Sequence, residues 1–292
     1  MSLKTKKGGS IVFSIILPTL GTRETELKRL LDSILDQQDV QLEIIIIAQG
    51  NFKKVRSLLN EYINRLTIQL IETNEKGLSK ARNEGLHHVQ NESILVFTDD
   101  DCWYPPGIFK KIENKILSSD ISTFQIADPE RNKLFKQYPE LQSRHRSIFR
   151  SFKVSSIEIF INTKKVDKKD LMFDENFGLG AMYPSGEENN LLLDLMEAGY
   201  SITYYPEVVV YHPTTEKAFS SDNLYVKGAF FRRNFNLLLS FFLGMAFFLK
   251  KLHLVDRKLD GFLALMRGTL SYRSGGEIHE EITLPGGEKR GS

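Results

Sequence analysis

Ile94-Leu-Val-Phe-Thr-Asp-Asp-Asp101 sets a short apolar run directly before three adjacent carboxylates. The run reads as a buried strand, and the carboxylates then stand at its carboxyl end, where open α/β sheets bind their ligands. Upstream the same rhythm recurs at Ile11–Leu17, Leu42–Ile47 and Ile68–Ile71, each run short and rich in branched aliphatics. Between the runs lie segments with helical spacing: Leu27, Leu30, Leu31, Ile34 and Leu35; Val55, Leu58, Leu59, Tyr62 and Ile63; Leu78, Ala81 and Leu86. Strand–helix–strand units of this kind predict right-handed crossovers and a mostly parallel, Rossmann-like sheet flanked by helices.

Downstream the rhythm breaks. From Ala127 to Ser151 the chain is polar and charge-rich, with Asp128-Pro129-Glu130-Arg131 and Arg144-His145-Arg146, which predicts a structured excursion or a mobile loop over the sheet. Apolar runs return at Ile157–Ile161 and Val208–Tyr211, and Glu187 to Ala198 has helical periodicity ending at Gly199. The stretch from Ser220 to Leu270 reads as helical. The expected organisation is an α/β domain over 11–213, dividing near 126, then a helical extension over 214–273, with flexible segments at 1–10 and 274–292.

The composition is that of an ordinary globular protein: 292 residues, 41% hydrophobic and 26% charged. Lys and Arg number 39 against 37 Asp and Glu, which argues against a nucleic-acid binder. A single cysteine, Cys102, excludes an intramolecular disulfide and a cysteine-based zinc site, and suits a reducing compartment. No apolar run precedes Ile11, so no signal peptide is expected, and a cytoplasmic setting is. Local charge is uneven, however. Residues 223–273 carry nine basic side chains, from Lys227 to Arg273, against Asp256 and Asp260, a net of about +7. Within them Asn234–Leu249 is rich in Leu and Phe between Arg232-Arg233 and Lys250-Lys251; its polar residues are Asn234, Asn236 and Ser240. At about 1.5 Å per residue it reaches about 24 Å, short of a hydrocarbon core of about 30 Å. Two expectations stand: a helix packed under the sheet or against a second subunit in a homodimer, or an in-plane helix making peripheral contact with anionic lipid.

Several residues carry candidate chemistry. Asp99, Asp100 and Asp101 repel one another unless a cation joins them, and hard oxygen donors on a loop suit Mg²⁺ or Mn²⁺ shared with phosphates; a solvated acidic turn is the plainer alternative. Gly77-Leu-Ser-Lys-Ala-Arg-Asn83 opens a helix whose free amides can seat phosphate, with Arg82 one turn in, although it also fits an ordinary junction and is no Walker A loop. Glu187 and Glu188 in a first helical turn either complement the helix dipole or supply a general base. His212, at a strand end, is a structural histidine or a ligand.

Taken in order, these pieces resemble glycosyltransferase family 2, the inverting enzymes of the GT-A fold, and in particular bacterial surface-polysaccharide members. The stretches that carry the resemblance are Phe13-Ser-Ile-Ile-Leu-Pro-Thr19, Glu43–Ile47, Gly77–Asn83, Leu95–Asp101, Phe173-Asp-Glu-Asn-Phe-Gly-Leu-Gly180, Gly186-Glu-Glu188 and Tyr211-His-Pro213. The resemblance implies a donor half over 11–126 and an acceptor half over 127–213. It implies that Pro18, Thr19, Arg23, Gln49, Gly77, Arg82, Asp99 and Asp100 bind the nucleotide sugar. Asp101, with Asp99 and His212, would hold Mn²⁺ or Mg²⁺, and Glu188 would be the base. The implied reaction moves a sugar, most simply from a UDP-sugar, to a hydroxyl of a glycan or lipid-linked acceptor at the inner face of the membrane.

Three positions depart from the family pattern. The second strand ends Ala48-Gln49-Gly50-Asn51 where an acidic residue is usual, Glu188 replaces the commoner Asp, and Cys102 stands where an acid is frequent. Clustered Asp also serves phosphoryl transfer, so a metal-dependent phosphohydrolase or nucleotidyltransferase is one alternative. A catalytically weak nucleotide-binding protein on the same fold is another.

Overall fold

The aliphatic runs form the parallel half of a sheet that has nine strands among the described residues. A computed structural model of the chain describes residues 11–90, 92–144, 151–214 and 219–272. Strands β1 (Val12–Thr19), β2 (Gln41–Ala48), β3 (Thr67–Glu72) and β4 (Ile94–Phe97) pair in parallel in the order β3-β2-β1-β4. Helices α1 (Glu24–Leu35), α2 (Phe52–Leu59) and α3 (Leu78–His88) carry the crossovers. The strands are aliphatic throughout because both faces are covered. Leu27, Leu30, Leu31, Ile34, Val55 and Leu58 close one face, while Ala81 packs against Ile16, Ile45 and Ile47 on the other.

Beyond β4 the parallel core of the sheet is extended by antiparallel strands. After α4 (Ile108–Ser118) comes β5 (Ile121–Asp128). The later β8 (Ile159–Asn162) inserts between β4 and β5 and is antiparallel to both. Helix α5 (Glu187–Glu197) then leads to β9 (Ile202–Tyr211), which runs parallel to β5. Over its described residues to Arg144, the polar stretch after Ala127 is tied down rather than loose. Its short strands β6 (Lys133–Leu134) and β7 (Ser143–Arg144) add to β5 and β9. Between them, Lys136 and Tyr138 donate to the buried Glu158 carboxylate at 2.7 and 2.6 Å.

The chain divides into two units, 1–218 and 219–292. Over its described residues the second is three helices, α6 (Ser221–Asn234), α7 (Leu237–Lys251) and α8 (Lys258–Ser271). Helices α6 and α8 meet backbone to backbone, and glycine permits it: a Cβ on Gly228 would overlap the Leu265 carbonyl oxygen, and one on Gly268 would overlap that of Tyr225. The segments 1–10 and 274–292, expected to be flexible, and Arg273 lie outside the described residues.

Candidate active site

Because β1 and β4 are parallel neighbours, with Ile16 opposite Phe97, their carboxyl ends bring Thr19 and the Asp99–Asp101 triplet together. Thr19 donates Oγ1 to Asp100 at 2.7 Å and accepts the Gly21 amide at 3.0 Å. Gly21 has φ +64°, and a Cβ there would run into Val55, so glycine alone lets the chain turn back over the strand end. Half-exposed Arg23 then reaches across to Asp100 at 3.2 Å and Asp101 at 2.5 Å. Pro18 is the last buried β1 residue before Thr19.

His212 closes the other side. Trp103 and Tyr211 exchange backbone hydrogen bonds at 3.1 and 2.7 Å, strapping the end of β9 onto the acidic loop. The His212 amide donates to Ala127 at 2.9 Å, and Asp128 accepts both the amide and the hydroxyl of Thr214, at 2.7 and 2.6 Å. Those bonds hold the Asp128 carboxyl at about 2, well below its ordinary value. The turn places His212 Nε2 at 3.2 Å from Asp101 Oδ1. Burial, the largest single influence, opposes charge on both groups, yet their hydrogen bond and mutual attraction together outweigh it, drawing Asp101 below the ordinary carboxylate range and lifting His212 above that of a free imidazole.

The pair fits a divalent cation. Two donors about 2.1 Å from a shared octahedral ion and at right angles to each other stand about 3.0 Å apart, close to what is seen. His212 Nδ1 lies 2.7 Å from the Pro213 carbonyl, so Nδ1 keeps a proton, and a cation replacing the proton that Nε2 shares with Asp101 would take Nε2 as its ligand nitrogen. Among the described residues no group of three or more His, Cys, Asp or Glu is arranged to hold a metal. Two protein donors with phosphate and water completing the shell is the usual arrangement for Mg²⁺. Asp99, expected as a third ligand, gives its Oδ1 to Arg82 at 3.1 Å.

Asp99 belongs to a second cluster built on Arg82. This guanidinium is fully buried and donates to Asp99 at 3.1 Å, Glu187 at 3.1 Å and Ser156 at 2.7 Å. Expected at the nucleotide, Arg82 instead joins the end of β4, the approach to β8 and the start of α5, and the burial of its side chain keeps it from solvent. Glu187 is buried with it, and Glu188 is the next residue of the same helical turn. Burial pushes the Glu188 carboxyl up to about 8, and the charge of Glu187 adds to the rise. A carboxylate poised near neutrality is suited to general-base work.

The Gly77 and Gln49 expectations are altered by the same local packing. The loop at Phe177–Gly180 covers the start of α3: Leu78 donates its amide to Leu179 at 2.9 Å, and Ser79 its hydroxyl to Phe177 at 2.5 Å. The first amide of the helix is therefore occupied by protein. Gly180 lies against Gly77, where a Cβ on Gly180 would stand 3.3 Å from the Gly77 Cα. Buried Gln49 donates its amide nitrogen to the Glu75 and Gly77 carbonyls at 2.8 and 3.0 Å, so it fastens the loop before α3. Cys102 is fully buried against Thr98 and the Asp99 carbonyl. The roles of Ser156, Asp128 and the Trp103–Tyr211 strap escaped sequence reasoning, since each acts only through residues distant in the chain.

Residues 14–169 match the family model described as glycosyl transferase family 2. The chain is 31% identical over 104 residues to the glycosyltransferase GlyA of Streptococcus pneumoniae, covering 34% of this chain and 15% of that protein. It is 31% identical over 102 residues to an uncharacterized glycosyltransferase of Haemophilus influenzae, covering 35% of this chain and 34% of that protein. It thus spans a third or less of the length of these relatives. Among solved structures, S. aureus TarS 1–349 superposes with a TM-score of 0.60 at 16% identity, covering 89% of this chain and 71% of that one. The same protein in complex with UDP-GlcNAc gives 0.58 at 17%, covering 76% and 66%. At these identities the superpositions establish a common fold.

Proposed function

The chain belongs to glycosyltransferase family 2 and is a glycosyltransferase of GT-A type, and within that class we propose a metal-dependent, inverting transfer from a UDP-sugar to a hydroxyl of a glycan or lipid-linked acceptor. The observation that carries the reading is the facing pair Asp101 and His212, 3.2 Å apart at the carboxyl ends of the strands. These two would hold Mn²⁺ or Mg²⁺, which when bound neutralises the charge growing on a departing diphosphate. TarS has been solved with UDP-GlcNAc and with UDP, which supports a uridine nucleotide as donor here. Thr19, Arg23 and Asp100 form one hydrogen-bonded group beside the metal pair and would orient the donor, with Pro18 shaping its wall. Gln49 would meet the base through Oε1, and Gly77 and Arg82 would act indirectly, by fixing the loop and the two acidic clusters.

Glu188 takes the acceptor's proton. Its raised affinity for a proton makes it a stronger base than an ordinary carboxylate, and Glu187, held by Arg82, keeps the turn that carries it in place. The donor half is assigned to 11–126, the acceptor half to 127–213, and 214–273 to a helical extension making peripheral contact with the inner face of the cell membrane. A role in surface-polysaccharide synthesis follows from that setting.

The test is a screen of nucleotide-sugar donors by thermal shift, with and without Mn²⁺, on wild type and Asp101→Asn. A bound donor stabilises the native state by mass action. The expected outcome is a UDP-sugar shift that needs the metal and is lost in the variant, with the fold intact. An equal shift in Asp101→Asn would remove the metal assignment. Release of free sugar phosphate in place of transfer would select the phosphohydrolase alternative.

A further inference from the structure

Helix α7 turns its side chains the wrong way round for water. Its buried line is Ser240, Gly244 and Phe248, with the Ser240 hydroxyl donating to the Phe231 carbonyl at 2.9 Å and Gly244 set against Leu265. Its outward line is Leu238, Phe242, Met245 and Leu249, at helical spacing, with Leu238, Phe242 and Leu249 each 60% exposed or more. A helix on an aqueous protein hides its large apolar residues and shows small and polar ones. Small residues inside and large aliphatic ones outside is the pattern of helices packed within lipid. The neighbouring α8 repeats it, burying Gly261, Leu265 and Gly268 and exposing Leu259, Leu263 and Leu270. The segment Leu237–Leu254 has a mean hydropathy of 1.6, and only 17% of it is buried.

Eighteen residues could nearly cross a bilayer, but the charges oppose that. Arg232 and Arg233 precede α7, Lys250 and Lys251 close it, and Arg257 and Lys258 follow, so basic groups sit at both ends. Spanning would carry one set through the hydrocarbon, and would bring α6 with it, since α6 packs on α7 and bears Asp222 and Lys227. A helix lying in the plane keeps both ends at the headgroups, where each Lys or Arg is attracted to anionic lipid.

Building on the peripheral contact proposed above, we infer that α7 is inserted in the plane of an anionic leaflet, with Leu238, Phe242 and Leu249 among the acyl chains. The contact is therefore held by apolar burial and guided by charge, and the two differ in their response to salt. At about 1 M NaCl the Debye length falls to about 3 Å, which removes headgroup attraction and leaves apolar burial intact.

The full chain is bound to vesicles of phosphatidylglycerol and phosphatidylethanolamine at low salt, washed at about 1 M NaCl, and pelleted. In parallel, Phe242→Trp is read by fluorescence on vesicles whose acyl chains are brominated. The expected result is retention through the salt wash, release by detergent, and quenching of the new tryptophan beyond that of Trp103 in wild type. Leu238→Glu combined with Phe242→Glu lies on the exposed line, so the helices stay folded by circular dichroism while retention falls about tenfold or more. Binding at low salt that the wash removes, with no added quenching, would overturn insertion and leave the peripheral contact standing. No binding at low salt, with a dimer by light scattering, would overturn both and assign the stripe to a second copy of the chain.

Discussion

At the scale of single residues, the site rests on two acidic groups with opposite tasks. Glu187 is paired with a buried guanidinium, while Glu188 holds its proton up to about 8 against an ordinary value of 4.5. Glu188→Gln is nearly isosteric, and transfer should fall by about 10² or more while donor binding persists. The same shift has a thermal signature. The folded chain binds this proton more tightly than the unfolded chain, so its stabilising contribution is complete below pH 4.5 and is lost as pH rises through about 8. The Tm advantage of Glu188→Gln over wild type should therefore grow between those limits, and melting curves across the range will measure it. Arg82→Met behaves oppositely. It strands Asp99 and Glu187 beside one another without their cation, and urea unfolding should register a loss of about 3 kcal/mol or more.

At the scale of elements, the strand ends and the turns after them do the positioning. Strands β1 to β4 and the helices between them are legible in the sequence because burial on both faces leaves uninterrupted aliphatic runs. Strand β5 is not: Ser122, Thr123 and Gln125 interrupt it, and all three are buried. Gln125 is accommodated by Tyr204 on the neighbouring strand, which accepts at 2.7 Å, and no local pattern announces a partner 79 residues away. The acidic triplet and the glutamate pair were legible as motifs. The direction of Arg82 was not, because a helix start looks alike whether it faces phosphate or core. Asp128 is the clearest element-scale device, since it clamps Thr214 and so fixes the turn that presents His212. Asp128→Asn should weaken metal-dependent activity through KM more than kcat. Because the native carboxyl is held at about 2, its contribution to stability is present at neutral pH and lost as pH falls toward that value. The Tm gap between wild type and Asp128→Asn should accordingly close in acid.

At the scale of the whole molecule, the two units bury different kinds of side chain. The first buries aliphatic layers on either side of a sheet. The second closes its helices on glycine and leaves leucine and phenylalanine outside. Damage to one should therefore leave the other's chemistry standing. Gly268→Leu forces α8 off α6, and the expected outcome is loss of helical signal and of lipid retention, with a metal-dependent UDP-sugar thermal shift like that of wild type. A lost donor shift would show that the two units are energetically one.

Cys102 gives the molecule a built-in reporter. It is the sole cysteine, it has no exposed surface, and burial pushes its thiol up to about 12, so at neutral pH it is almost wholly unreactive. The wild-type chain consequently behaves as a cysteine-free background, and one cysteine introduced at exposed Leu179 becomes a unique attachment point for a dye on the loop over α3. The native thiol has a second use. Hydrogen-bonded to the Asp99 carbonyl, it can meet a thiol reagent only when the acidic loop opens, and its slow labelling is a clock for that opening. Donor and metal, by holding the loop shut, should slow the clock, so a bench-top thiol assay reads site occupancy without any transfer being observed.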